Sequence, residues 1–324
     1  MKKSFKLFLA AAFLVTEFFV VALPLMITSA KADGHPIQAI THAGFGGGTD
    51  VTTRMMLLRT RRYLKQDMQL VNKKGGGGAA SMDYMMTLPA DGQHTLTWTT
   101  GHAVSMALGK TKVKLSDMQP LARGTDDPQL FVVNCKNDIK DAKKFISAQK
   151  SKSLKYGTTH VGGIDDVSAI AFTKKGKLTD PTIVPYKGVG PIKTNLIKGD
   201  IDVGVLNLGE AVTEIEDGTL CVSVVLASNR MEKLSNVPTA TELGIPVVLS
   251  TVRGFVTRKG VTGDRKKQLE DAMIKAMEHK YFQSFLTDIG LDSTSVVGAD
   301  EWGKQMEVML AEMTAQLKAL GYIN

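Results

Sequence analysis

Ile37-Gln38-Ala39-Ile40-Thr41-His42-Ala43-Gly44-Phe45-Gly46-Gly47-Gly48-Thr49-Asp50 carries an apolar strand pattern into a glycine-rich turn. A stretch with helical apolar spacing follows over residues 50–65. Glycines at such a junction let the backbone turn sharply and leave N–H groups free at a helix N-terminus, where the dipole favours an anion. Thr49 or Asp50 is the expected N-cap, accepting from the first-turn N–H groups. Asp50 has a second use open to it, holding a water or pairing an ammonium. The glycines fall at 44, 46, 47 and 48, so the dinucleotide fingerprint is not met, and no phosphate loop with Gly-Lys-Ser/Thr follows. The sequence implies no cofactor.

Outward from this junction the chain alternates short apolar strands and amphipathic helices. Strands are expected at 37–43, 68–72, 95–99, 130–134, 154–157, 182–185, 201–206 and 221–227. Helices are expected at 50–65, 80–88, 264–280 and 300–320. Strand and helix alternation at this spacing predicts an α/β fold built on parallel sheet. Four more turns at strand ends repeat the first. They are Lys73 to Ala79, with Gly77 and Gly78 at its centre; Thr99 to His102, with Thr100; Tyr156 to Gly163, with Thr158, Thr159 and His160; and Pro185 to Gly190, with Gly188. Ligands of open α/β sheets bind at the carboxyl ends of strands. Five turns rich in Gly and Thr therefore outline a cleft in which backbone N–H groups chelate a carboxylate. The candidate ligand contacts are Phe45, Gly46, Gly47, Gly48, Thr49, Asp50, Gly77, Gly78, Ala79, Thr100, His102, Thr158, Thr159, His160 and Gly188. Asp165 and Asp166, beside the fourth turn, are expected to face solvent.

The N-terminus sets the compartment. Lys2, Lys3 and Lys6 precede an apolar run over residues 7–27, and Ser29-Ala30-Lys31-Ala32 offers small residues where a signal peptidase reads. This is the layout of a secretory signal peptide covering residues 1–32, cleaved before Asp33, with a periplasmic product. An uncleaved anchor is the alternative, because the run is long enough to span. Removal takes four lysines and Glu17, so the formal charge falls from +8 to +5 over the 292 residues that remain. That balance suits an anionic ligand. Arg59, Arg61, Arg62 and Lys65 could be read as a nucleic-acid patch. They lie instead on the solvated side of a helix whose apolar side carries Met55, Met56, Leu58 and Tyr63, and no nucleic-acid partner is expected.

Gly124 to Pro128 and Gly218-Thr219 look like connections between two lobes. The division expected is residues 33–128 with 228–324 as lobe 1, and 129–227 as lobe 2. If the chain leaves along the strand from Leu130 and returns along the one from Leu220, the two run antiparallel. Cys135 then lies near Cys221. An even pair of cysteines in an oxidising compartment favours a disulfide, the alternative being two buried thiols.

Six segments in register resemble one family, the solute receptors of tripartite tricarboxylate transporters, or Bug receptors. Gly46-Gly47-Gly48-Thr49-Asp50 with Arg54 resembles its G-G-x-x-D-x-x-x-R opening. Asn72 to Gly78 resembles its N-x-x-G-A-G-G turn, and Tyr156-Gly157-Thr158 its Y-G-T. Val184 to Gly188 is similar to V-P-Y-K-G, Gly199 to Val203 to its G-x-x-D turn, and Val237-Pro238-Thr239 with Glu242 and Gly244 to V-P-T-x-x-E-x-G. The chain departs from the pattern at His42-Ala43-Gly44-Phe45, at His160 and Gly162-Gly163, and at Val252-Arg253-Gly254. The resemblance implies a two-lobed periplasmic binding protein of type II, a Venus flytrap with two crossing hinge strands. It implies a carboxylate held by the turns at 45–50 and 76–79, partly through water, and integral-membrane permease subunits as partners of a monomer. Six scattered histidines show no metal spacing, and no nucleophile elbow or Cys–His pair is present, so an enzyme is not expected. A sensory receptor on the same fold is the functional alternative.

Overall fold

A computed structural model describes residues 35–159, 161–319 and 321–324; the expected signal peptide, its expected cleavage site and His160 lie outside them. The first sheet is built from β1 (Ile37–Thr41), β2 (Met68–Asn72) and β3 (His94–Thr99), all parallel, with β4 (Met118–Pro128), β10 (Ser250–Arg258) and β11 (Val297–Gly298). Its order is β11-β4-β10-β3-β1-β2, with β10 antiparallel to both neighbours. The second sheet holds β5 (Leu130–Asn134), β6 (Lys155–Thr158), β7 (Thr182–Pro185), β8 (Val203–Leu206) and β9 (Leu220–Val225), ordered β7-β6-β8-β5-β9. There β6 is parallel to β7 and β8, and β5 is antiparallel to β8 and β9. Both sheets are thus mixed, with an antiparallel strand at each junction. This is the two-lobed binding-protein architecture.

Around the first sheet lie α1 (Gly48–Leu64), α2 (Ala79–Met86), α3 (Thr100–Ala107), α8 (Gly263–Glu278), α9 (Lys280–Asp288) and α10 (Ala299–Ala319). Around the second lie α4 (Ala142–Ser151), α5 (Ile164–Lys175), α6 (Val189–Lys198) and α7 (Leu208–Glu216). The buried side of α1 differs from expectation. Leu58 and Tyr63 are exposed, and the face turned inward is Thr52, Thr53, Met56, Thr60 and Leu64. Thr52, Thr53 and Thr60 each donate a hydroxyl to the carbonyl four residues back, at 2.8, 2.7 and 2.8 Å. With the polar atom satisfied inside the helix, the methyl can face the core. Arg61, Arg62 and Lys65 are exposed, as a solvated face requires.

The core of the first sheet centres on Trp98 and Trp302, edge to face at 5.8 Å. Gly254 lets Trp302 approach, since a Cβ there would lie 2.3 Å from the indole. Each fully buried indole contributes about 2–3 kcal/mol of apolar burial. On the second sheet Phe131 packs against Phe172 at 4.9 Å and Phe145 at 5.8 Å, with Tyr156 beside them.

The crossing between sheets differs from the expected one in two respects. Residues 124–128 are not a turn but the end of β4, paired with β10 from Arg253 to Ser250. Gly124 is there for packing: a Cβ would come within 3.1 Å of Met277 Sδ and 3.3 Å of Phe282. Gly218-Thr219 only turns α7 into β9. The chain crosses at Gln129 and again along residues 226–249, where Gln129 N–H donates to the Leu249 carbonyl, Leu226 N–H to Gln129, and Leu249 N–H to Leu226, each at 2.9 Å. Residues 228–249, assigned above to lobe 1, pack on the second sheet. Leu234 and Val237 join the cluster of Leu130 and Leu206, and Thr239 bridges Val225. The expected pairing of outgoing and returning strands holds, with Val133 opposite Cys221 in antiparallel register. Cys135 and Cys221 are joined in a disulfide.

Candidate functional site

The carboxyl ends of β1, β2 and β3 open onto one edge of the first sheet. After β1, Gly46 takes φ +75° and Gly47 occupies the N-cap of α1 without a side-chain cap. Asp50 is therefore not the N-cap but the third helical residue. Its Oδ2 accepts the Gly46 N–H at 3.0 Å and Arg54 Nε at 2.9 Å, and Oδ1 accepts Arg54 Nη2 at 3.2 Å. Arg54, Gly46 and Lys74 outweigh burial and hold the Asp50 carboxyl below its ordinary range. The carboxylate is consumed by the turn it shapes, while the N–H groups of Gly48, Thr49 and Asp50 have no acceptor within the helix. Phe45 stands 77% exposed at the tip, with Arg54 and Lys74 5.9 and 5.4 Å from its ring centre.

The second turn lies against the first: the Asn72 amide donates to the Ala43 carbonyl, and a Cβ on Gly44 would meet Lys74 Nζ at 3.7 Å. Gly75 to Gly78 run at φ +134°, +59°, +67° and +108°, a path that glycine alone follows cheaply. Ser105 Oγ spans the carbonyls of Gly76 and Gly77, at 2.9 Å from each. His102 buttresses Gly78 from below. Thr99 N–H donates to Nδ1 at 3.0 Å, so Nε2 carries the proton of the neutral ring and reaches Ser81 Oγ at 3.0 Å, which donates to the Gly78 carbonyl at 2.7 Å. Burial, with His42 beside it, pushes His102 well below its ordinary pKa, so the ring stays neutral. His102 is fully buried with both nitrogens engaged and acts through Gly78. Gly78→Ala would place a Cβ 2.8 Å from that ring at a positive φ. We expect a loss of about 1–3 kcal/mol in urea unfolding.

Thr99-Thr100-Gly101-His102, read above as a turn, opens α3. Thr100 Oγ1 donates to the Ser250 carbonyl and accepts Val252 N–H, both at 2.9 Å, pinning α3 to β10. On the second sheet Thr158 is buried at the end of β6, Gly188 (φ +113°) precedes α6, and Thr159 donates both its N–H (2.8 Å) and hydroxyl (2.6 Å) to Asp165. Gly162 N–H donates to Asp166 at 2.6 Å. Asp165 and Asp166 are buried, not solvent-facing, because these loop donors surround them. Val161-Gly162-Gly163 with Asp166 thus repeats Phe45-Gly46-Gly47 with Asp50. Each has an exposed apolar tip, a left-handed glycine, a glycine N-cap and an aspartate at the third helical position.

Between the sheets lies Arg253, quoted above only as part of the departure at Val252-Arg253-Gly254 and given no role there. It is 3% exposed. Nη1 pairs Asp127 Oδ2 at 3.1 Å, Nε reaches Thr49 Oγ1 at 3.3 Å, and Nη2 reaches Asn207 Oδ1 at 3.5 Å. A Cβ on Gly48 would sit 2.6 Å from Nη2, so the guanidinium lies directly under the first turn. Asn207 and Glu210 form a capping box on α7, an N-x-x-E signal legible in the sequence.

A family model described as the tripartite tricarboxylate transporter family receptor, TctC, matches residues 52–320. The chain belongs to this family. Protein BugT of Bordetella pertussis is 27% identical over 220 residues, which span 65% of this chain and 66%, just under two thirds, of BugT. Among solved structures, MatC from Rhodopseudomonas palustris with bound malate superposes with a TM-score of 0.76 at 22% identity, covering 87% of this chain and 98% of MatC. Rpa4515 of R. palustris, with adipate, gives 0.78 at 21%, covering 88% and 97%. At those identities the likeness speaks for the fold.

In this TctC receptor two carboxyls beside Arg253 are raised by burial, Asp127 to about 6 and Glu210 to about 7. The native state therefore binds more protons than the unfolded chain from about pH 4 to 7, and these groups make stability fall as pH rises through that window. Glu210→Gln should flatten the slope of melting temperature against pH between about 5 and 7; an unchanged slope would remove Glu210 from the account. An open groove of about 740 Å³ lies elsewhere, beside the disulfide and lined by Lys143 and Leu243, and holds none of the cleft turns.

Proposed function

We propose that this TctC receptor captures a small carboxylate between its two sheets and delivers it to integral-membrane permease subunits, after export with residues 1–32 removed before Asp33. The observation that carries the reading is the first turn. Asp50 is locked onto Gly46 and Arg54, leaving the α1 N-terminus, backed by Arg253, as an anion seat. The Gly75 to Gly78 turn stands next to it, held by Ser105 and by the His102–Ser81 pair. MatC is solved with malate and Rpa4515 with adipate, both small acids. Within the cleft the ligand contacts are the backbone at Phe45 to Thr49 and Gly77 to Ala79, with water between. Thr158 and Gly188 contribute from the second sheet, and His160, outside the described residues, is kept as a contact on the sequence reading alone. Thr100, His102 and Thr159 position these turns.

The moving bodies are the two sheets with their helices, and the hinge is the crossing at Gln129 and residues 226–249. A ligand favours closure by as much as it binds the closed form better than the open one. A permease that reads the closed surface then distinguishes loaded from empty. Solution scattering tests this. The radius of gyration falls when a bound carboxylate is titrated in, and a bound acid that leaves the scattering curve unchanged contradicts closure.

A further inference from the structure

The N-terminus of α7 follows the carboxyl end of β8, on the same edge as the turn after β6. Glu210, its third residue, folds back so that Oε2 accepts the Asn207 N–H at 3.0 Å. The Asn207 amide donates to the carbonyls of Asp127 and Pro128, at 2.9 and 3.0 Å, and its oxygen meets Arg253 Nη2. Glu210 is thus stitched to the crossing at the floor of the cleft. The charges that act on it are Arg253, Asp165 and Asp127. Arg253 is already paired with Asp127, whose Oδ1 is buried and has no partner among the described residues. One guanidinium therefore serves two carboxyls, and among the described residues no cation pairs Glu210 directly. The first turn has the opposite balance. There Asp50, at the same third position of its helix, faces both Arg54 and Lys74, so the difference between the two ends is in the cations.

We propose that the cleft is polarised and takes a ligand with a carboxylate at one end and a protonated amine at the other, the carboxylate seated at Gly48 and Thr49 and the amine against Glu210. This rests on the carboxylate-receptor reading above and narrows it to ω-amino acids or similar zwitterions. Without ligand, burial pushes Glu210 up to about 7, so a proton partly supplies the missing positive charge. An incoming ammonium displaces that proton, and the carboxyl becomes a carboxylate paired to the ligand. A second ligand carboxylate would do the reverse and draw a proton in.

Titration calorimetry with matched pairs tests this: succinate against 4-aminobutanoate, glutarate against 5-aminopentanoate, adipate against 6-aminohexanoate. Each is run at pH 7 in two buffers of different ionisation enthalpy. The expected result is that the amino acid of one length binds about tenfold or more tighter than its di-acid, with net proton release. Glu210→Gln should erase both the preference and the release while its unliganded melting stays cooperative. Tighter binding of the di-acids with proton uptake overturns the polarity and leaves the carboxylate reading standing. Binding of neither series, nor of any monocarboxylate, brings down that reading and this inference with it.

Discussion

Replacing Cys135 and Cys221 together by serine lowers the unfolding free energy by about 4–5 kcal/mol on the chain-entropy account, because the bond closes a loop of 86 residues of sequence separation. The native state needs the bond little. Val133 already pairs with Cys221 across β5 and β9, and Cys135 N–H donates to the Thr219 carbonyl at 3.1 Å. The effect therefore falls on the unfolded chain, which regains its freedom. In a protein of this size the melting temperature should drop by roughly 10 °C. The disulfide lies at the far end of β5 from Gln129, on the edge opposite the cleft turns, so affinity for a bound carboxylate should not change. A melting shift under about 2 °C would show that the denatured chain is already compact without the bond.

Arg253→Met is expected to cost about 3 kcal/mol at pH 8 and less at pH 5. The guanidinium and Asp127 are each 4% exposed in their side chains, and removing one member of a buried pair strands the other. Asp127 can escape by taking a proton, and burial already raises it to about 6. Without Arg253 its folded pKa climbs further, so the loss is small below that range and grows as pH rises. The double variant Asp127→Asn, Arg253→Met should recover most of the stability at pH 8, since neither buried charge remains. A loss independent of pH, or no recovery in the double variant, would place the cost in packing against Gly48 rather than in charge. Carboxylate affinity should fall in both variants, because Arg253 Nη2 lies beneath the first turn.

Much of the fold was legible because its signals are local. Strands at 68–72, 130–134 and 182–185 are bounded as expected, since each is a short apolar run between turn residues. The disulfide, expected from antiparallel strands and an even pair of cysteines in an oxidising compartment, is present. What escaped depended on distant partners. The strand Ser250–Arg258 holds a buried arginine that only Asp127, some 126 residues away in sequence, makes tolerable. The Gly-Thr-Asp-Asp-Pro end of β4 looks like a turn until Arg123 pairs Asp126 and Arg253 pairs Asp127. Thr100 and His102 looked like cleft residues because Thr-Thr-Gly-His reads as a loop, yet His102 completes the α3 capping box and is buried by Trp98 and Ser81. Asp165 and Asp166 looked solvent-facing because two of the donors that meet them, the N–H groups of Thr159 and Gly162, are backbone groups that no sequence displays.

The most direct test of carboxylate capture is a thermal-shift screen of the chain from Asp33 onward, refolded from denaturant to strip co-purified ligand, against mono-, di-, tri-, amino- and aromatic carboxylates. A ligand at about 100 times its dissociation constant stabilises the native state by about 2.7 kcal/mol, a shift of several degrees. The account predicts such a shift for one class of acid and its loss in Gly78→Ala. Uniform melting across every carboxylate would contradict it.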